Sequence, residues 1–312
     1  MRRGTICAWA RRTAALAFAA VAVAACTALA VPSAALAADG VGSACYYPTK
    51  DSKIPRMVLG TFSSESSLLD KALSFAKDGA YKVVITLERD WNTRNYGTID
   101  IPANSNVAFN LNGHMIDRDL ADSSYYGVGS GDVFTVHKEA TLTIEGGTAQ
   151  CEHKGTFSSD GLFWESTSNG TDIIKGGLVA GGANDSNEQG GGITSVAEGA
   201  KIYLKNVTLA GNVADNLLGV HGIGAGIYIN GKNSYLELDN AKIMYNHAET
   251  SGGGIYVNGN DTKIVLKNKS AISNNYADYL GGGICFMAKR GSVSVTDSAI
   301  NDNSTGASGG GI

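Results

Sequence analysis

The chain has 312 residues, 41 of them Gly and only 4 Pro, with 43% hydrophobic residues and a formal net charge of −4. That mix is too apolar for a disordered chain and about twice as glycine-rich as an average domain; it argues against an ordinary helical fold and suits many short strands joined by tight turns. The acidic balance argues against nucleic acid as a partner, because neutralising phosphates needs a basic surface.

Residues 1–37 read as a secretory signal. Arg2, Arg3, Arg11 and Arg12 form a basic region, an apolar run covers 14–31, and Ala35-Leu36-Ala37 supplies the small-x-small pattern of a cleavage site. The run is also long enough for an uncleaved anchor, but the polar sequence after Ala37 favours removal. Val23-Ala24-Ala25-Cys26 has the form of a lipoprotein box, against which stands the apolar continuation after Cys26. Arg11-Arg12 lacks the rest of a twin-arginine signal, so the general secretory route is expected. Cleavage removes four arginines and no acids, which takes the net charge to −8. No later apolar run reaches spanning length. Cys45, Cys151 and Cys285 remain; three widely spaced cysteines make neither a disulfide framework nor a metal cluster.

Residues 38–98 read as an N-terminal lead with a capping helix. Ser67-Leu68-Leu69-Asp70 has the form of a capping box, Leu69, Ala72, Leu73 and Ala76 recur at helical spacing, and Gly79 stops the element. Strand-like segments follow at 83–87, 98–101, 107–111, 133–136 and 141–144, separated by Pro102, Asn104, Asn112-Gly113 and Gly146-Gly147. Residues 147–189 are polar and irregular, and long loops are expected there on a continuing framework.

The remaining sequence repeats. Ile193, Ile227, Ile255, Ile284 and Ile312 each follow a glycine-rich turn, at intervals of 34, 28, 29 and 28 residues. Each interval carries an apolar pair with period two, then Asn206, Asn240, Asn268 or Asp297, then an apolar residue and, three places on, Asn212, Asn246, Asn275 or Asn303. The extra residue of the 29-residue unit falls just before Ile272, and the extra residues of the longest unit fall at 216–221. A unit of this size cannot bury its own apolar face, but stacked units can. The expected architecture over 99–312 is therefore all-β, a right-handed parallel β-helix with three strands per coil and coils about 4.8 Å apart. Gly252, Gly253, Gly254, Gly281, Gly282 and Gly283 would serve tight turns and close backbone approach, and the asparagines would form a ladder. Because Ile312 opens a unit that does not continue, the β-helix is expected to be truncated here, with the natural chain running further.

These repeats resemble those of polymorphic outer membrane proteins, which pair a Gly-Gly-Ala-Ile box with a Phe-x-x-Asn box. The first matches at 190–193, 252–255, 281–284 and 309–312. The second matches at 209–212, 243–246, 272–275 and 300–303, with Ile or Leu in place of Phe. Upstream, residues 99–116, IDIPANSNVAFNLNGHMI, are similar to the opening coil of many secreted bacterial right-handed β-helix proteins. The resemblance implies surface exposure and adhesion.

Candidate chemistry is sparse. Asp215, Glu249 and Asp278 occupy one offset in successive units; they would solvate a turn or, stacked, offer oxygen ligands to Ca²⁺. No other cofactor is expected, and the calcium-binding Gly-Gly-x-Gly-x-Asp nonapeptide is missing. His114, Asp117, Arg118 and Asp119 form the densest mixed cluster, read either as a solvated turn or as an acid and a base. Tyr228 and Tyr256 should stack outward as a ladder or a platform for sugar rings, with Cys285 next in their column. His221 lies in the extra loop and could contact a ligand. The outward columns Thr194, Tyr228, Tyr256, Cys285 and Tyr203, Glu237, Val265, Ser294 gather no carboxylates, and no catalytic residue is assigned. The sequence thus points to a secreted or cell-surface, adhesin-like protein that presents a repetitive surface to glycan or host ligands. A polysaccharide lyase or hydrolase and a structural stalk are the alternatives. Attachment to a membrane or cell wall would need a segment outside this chain.

Overall fold

The computed structural model describes residues 40–58, 62, 64–121, 131–184, 190–215 and 222–312. The expected signal segment and the 216–221 insertion with His221 lie outside them. Among the described residues the fold is all-β apart from one helix, α1 (Glu65–Lys77), and it is built largely from parallel sheets of nine, seven, six and five strands.

Each repeat contributes one strand to every parallel sheet. One repeat runs through Ile227–Ile229 in the six-stranded sheet, Tyr235–Asp239 in the nine-stranded, Lys242–Met244 in the seven-stranded and His247–Ala248 in the five-stranded. The next pairs with it in parallel and in register, so Ile193, Ile227, Ile255 and Ile284 form one column, and Ile202, Leu236, Ile264 and Val293 another. Sequence reading found three strands per repeat. The fourth is a two-residue strand just after the ladder asparagine, too short to show an alternating pattern.

Corners explain the recurring polar residues. Asn206, Asn240, Asn268 and Asp297 all have φ between 47° and 55°, a left-handed conformation that Asn and Asp tolerate. In the 29-residue unit Asn268 and Lys269 both adopt it, which absorbs the extra residue. At the glycine corner Gly252 takes the left-handed turn with φ 70°. Gly254 has a different reason: a methyl group there would stand 2.5 Å from the Gly283 carbonyl oxygen of the next layer.

At the corner between the seven- and five-stranded sheets, the asparagines form a buried ladder. Nδ2 of Asn212 donates to Oδ1 of Asn246, that of Asn246 to Asn275, and that of Asn275 to Asn303, each at 2.9 Å. The same oxygens accept backbone N–H groups of the layer before, as in Asn212 N to Asn246 Oδ1 at 3.0 Å. Each side chain thus replaces the water its corner has lost.

Helix α1 covers the start of the stack. Its buried side chains, Leu68, Leu69, Ala72, Leu73 and Ala76, join one apolar core with Val83, Ile85, Leu87 and Trp91. Ser64, not Ser67, is the N-cap, and accepts the Ser67 N–H at 3.3 Å; Gly79 follows the helix with φ 86°. Strand Gly42–Tyr47 runs antiparallel to Lys82–Leu87 at this end of the nine-stranded sheet.

The stretch expected to be loops holds a three-stranded antiparallel sheet, Glu152–Phe157, Trp164–Ser166 and Asp172–Lys175. Residues 146–176 stand where the single Asn206 stands in the next layer. This strap lies on the outside of the seven-stranded sheet, where Trp164 packs with Leu178, Ala180 and Ala210.

Because the layers share one spacing, Gly254→Ala is expected to destabilise the protein by about 1–3 kcal/mol through overpacking. Asn246→Ala should cost about 1–3 kcal/mol through unpaired buried donors, and Asn303→Ala, at the part-buried last rung, clearly less. Urea unfolding of the three variants tests this order.

Candidate ligand-binding surface

The outward face of the nine-stranded sheet carries three rows of side chains. One row runs Asn106, Thr141, Lys201, Tyr235, Lys263; the central row Ala108, Thr143, Tyr203, Glu237, Val265; the third Asn110, Glu145, Lys205, Asp239, Lys267. Ala108 and Thr143 are small and Tyr203 is large, so the face dips into an open cleft of about 470 Å³ lined by Thr143, Tyr203, Glu145, Lys201, Glu237 and Lys82 among others. The ring of Tyr203, which lines it, lies 5.5 Å from that of Tyr235 on the same face.

The charges of this face are largely matched in space. Glu145 meets Lys205 at 3.8 Å; Lys267 meets Glu237 at 2.8 Å and Asp239 at 3.6 Å. Tyr235 donates its hydroxyl proton to Glu237 at 2.8 Å, and desolvation, helped by that bond, pushes its phenol up to about 12. Lys82 and Lys201 make no ion pair among the described residues. Sequence reading examined the central column, found one acid, and missed the neighbouring row where Glu145, Asp239 and two lysines alternate.

The cluster of His114, Asp117, Arg118 and Asp119 is not a solvated turn. Asp117 and Arg118 are buried, at 7% and 6% exposure. The Arg118 guanidinium donates to the carbonyl oxygens of Thr93 and Arg94 at 2.9 and 2.6 Å. Desolvation pushes Asp117 up to about 6; bonds from the Asp119 N–H and Ser166 oppose this, and the charges of Asp119 and Asp90 add to it. Two residues not singled out from sequence, Asp90 and His153, complete the group. Asp90 accepts the Met115 N–H at 3.0 Å and lies 3.3 Å from His114 Nδ1 and 3.6 Å from His153 Nδ1. Burial alone would raise the Asp90 carboxyl, yet its histidine contacts hold it well below the usual carboxylate range. The cue was distance in sequence: strap and core are separate in the chain and adjacent in space.

Other expected residues fall elsewhere. Tyr228 and Tyr256 stack with centroids 5.8 Å apart, but Tyr228 is only 2% exposed and offers no free face to a sugar. Burial raises the Tyr228 phenol to about 12 and also raises the Cys285 thiol, which keeps the thiol protonated. Asp215, Glu249 and Asp278 follow the paired residues Ala214, Ala248 and Ala277, so they do form a column. Asp215 is buried, and Asp278 lies 3.7 Å from buried His247. Among the described residues no three His, Cys, Asp or Glu side chains are placed to hold a metal ion.

Comparison with family models, with curated proteins and with solved structures gave no match to this chain.

Asp117 makes a pH prediction. Its folded pKa lies above the unfolded value, so the folded state binds more protons in between and stability falls as pH rises from about 4 through about 6. The loss is on the order of 2–3 kcal/mol. Asp117→Asn should remove this part of the pH slope and be no less stable than the native protein at pH 8, as read from urea midpoints across pH.

Proposed function

We propose that this chain is a right-handed parallel β-helix from a secreted or cell-surface protein, adhesin-like and non-catalytic, that binds glycan ligands through the outward face of its nine-stranded sheet. The observation carrying this reading is the open cleft lined by Tyr203, with Tyr235 packed against that ring on the same in-register, hydrogen-bonding surface. Sugars offer apolar ring faces and many hydroxyls; tyrosine faces take the first and Asn, Thr, Lys and Glu the second. Strand spacing of about 4.8 Å sets such groups at nearly the length of one sugar unit. The carboxylates here are engaged by lysines, which suits recognition better than proton transfer. The signal-like N-terminus supports export, and the repeats' resemblance to polymorphic outer membrane proteins supports surface display. A net charge of −8 after cleavage makes nucleic acid a poor partner.

A lyase or hydrolase is the second reading, favoured by one observation: Asp117, held near 6 by burial and by the charges of Asp119 and Asp90, has the tuning of a general acid–base group. A structural stalk is the third. The mature protein should be screened against immobilised neutral and acidic oligosaccharides, then incubated with those it binds, with and without Ca²⁺. The expected result is retention without product, weakened about tenfold or more by Tyr203→Ala. Shortened or unsaturated products would replace the adhesin reading with the enzymatic one, and no retention on any glycan would leave the stalk.

A further inference from the structure

The strap at residues 152–175 is tied to the layers by an unusual set of contacts. Its first strand, Glu152–Phe157, carries His153, whose side chain is 1% exposed. Nε2 faces two carbonyl oxygens, Gly113 at 3.0 Å and Gly176 at 2.9 Å. Nδ1 faces the Asp90 carboxylate at 3.6 Å. The polar neighbours of both ring nitrogens are thus acceptors. A neutral imidazole carries one N–H and one lone pair. With its proton on Nε2 it would turn the lone pair of a buried Nδ1 towards the half-exposed Asp90 carboxylate; with its proton on Nδ1 it would turn a lone pair towards two carbonyls. The imidazolium suits the place best: its Nε2–H meets the two carbonyls, and its charge faces the Asp90 carboxylate at ion-pair distance.

We propose that residues 152–175 form a pH-sensitive strap, clamped onto the seven-stranded sheet while His153 carries both protons and loosened when it loses one. The charged groups around His153 agree with this. Asp90 faces it from the turn before Trp91–Asn92, and His114 shares the same carboxylate from the turn before Met115–Asp117. Glu88 lies near His114. On the strap itself Glu152 and Lys175 pair with each other at 2.9 Å, beside the ring rather than on it. Burial opposes the charged imidazole, but the bonds and charge of Asp90 and the two carbonyls outweigh it and raise the His153 pKa above its ordinary value. The folded, clamped state therefore holds a proton that the released state gives up. Clamping is full below the ordinary histidine pKa and is lost as pH climbs through the raised one. Asp117, bonded to Ser166 of the strap, acts in the same direction at lower pH, because its ionisation places a second buried carboxylate near Asp90 and Asp119. Release would uncover Met115, Leu178, Ala180 and Ala210, the apolar strip on which Trp164 sits.

Hydrogen exchange of the full chain, read by mass spectrometry and corrected for the intrinsic pH dependence of exchange, tests this between pH 7 and pH 9, above the Asp117 transition. Protection of residues 152–175 is expected to fall at least tenfold across that range while that of strand Ile255–Val257 holds. His153→Gln, which cannot take up a proton, should remove the change. Should that variant not fold, Asp90→Asn keeps the histidine and removes its counter-charge, and the loss of protection should then begin at lower pH. Constant strap protection from pH 7 to 9 in the native chain would overturn the proposal. So would an unaltered pH response in either folded variant, or a neutral His153 imidazole in the NMR spectrum at pH 6.

Discussion

One spacing governs this molecule: each layer sits a single strand-to-strand distance from the next, and every polar group at a corner must find its partner within that distance. A side chain that protrudes at a corner collides with the layer above, and a corner amide without a partner is a buried unpaired donor. Glycine meets the first condition at Gly254, against the Gly283 carbonyl. Asparagine meets the second, because its amide donates upward and accepts from below, so one residue type repeated closes the whole column. The apolar columns inside carry the burial energy, but these corners set the register in which they stack.

The same spacing shapes the surface. Residues at equal offsets lie about 4.8 Å apart, so a repeat copied without change would stack like charges on like. On the nine-stranded sheet the third row instead alternates Glu145, Lys205, Asp239, Lys267. The ion pairs are exposed or part-exposed and worth little alone, but the alternation removes a repulsion the fold would otherwise build up. It also leaves the cleft's character to Tyr203 and to Lys82 and Lys201. A surface of this kind is not legible from a single column, and the central column alone hid it.

Legibility followed periodicity. The columns at Ile193, Ile227, Ile255 and Ile284 and the ladder at Asn212, Asn246, Asn275 and Asn303 were readable because stacking demands the same residue type at the same offset. The helix was readable from Leu69, Ala72, Leu73 and Ala76; its N-cap was misplaced because Ser64 and Ser67 are chemically equivalent candidates and only the chain's entry direction chooses between them. The fourth strand of each layer was too short to carry a pattern. The corner at Tyr245, with φ 55°, was missed because the equivalent positions are Gly211 and Asn274, and a tyrosine gives no sign of a left-handed turn. The strap was unreadable for a different reason: it pairs antiparallel with itself and has no copy elsewhere, so neither repeat nor register betrays it. With the strap hidden, nothing in the sequence joins Asp90 and His153 to His114 and Asp117, and the cluster stays open between a solvated turn and an acid with a base.

Where the strap enters explains why the fold tolerates it. It leaves after Glu145 and returns at Gly177, a corner that the next layer closes with Asn206 alone. Gly146 lies directly against the Asn206 carbonyl and Gly177 against Gly146, so the corner packs as closely as those with no insertion. Register therefore passes through the corner whatever the strap does. Buried Asp117 and His153, with the half-exposed Asp90 between the strap and the layers, lie on the outside of one sheet, beneath a segment whose local opening does not require the layers to come apart. Strands paired in register layer on layer can carry such a device, because each layer makes its main contacts with its neighbours. His153 is not part of the apolar core that runs through the layers, so the cost of its charge weighs on the strap and not on the stack.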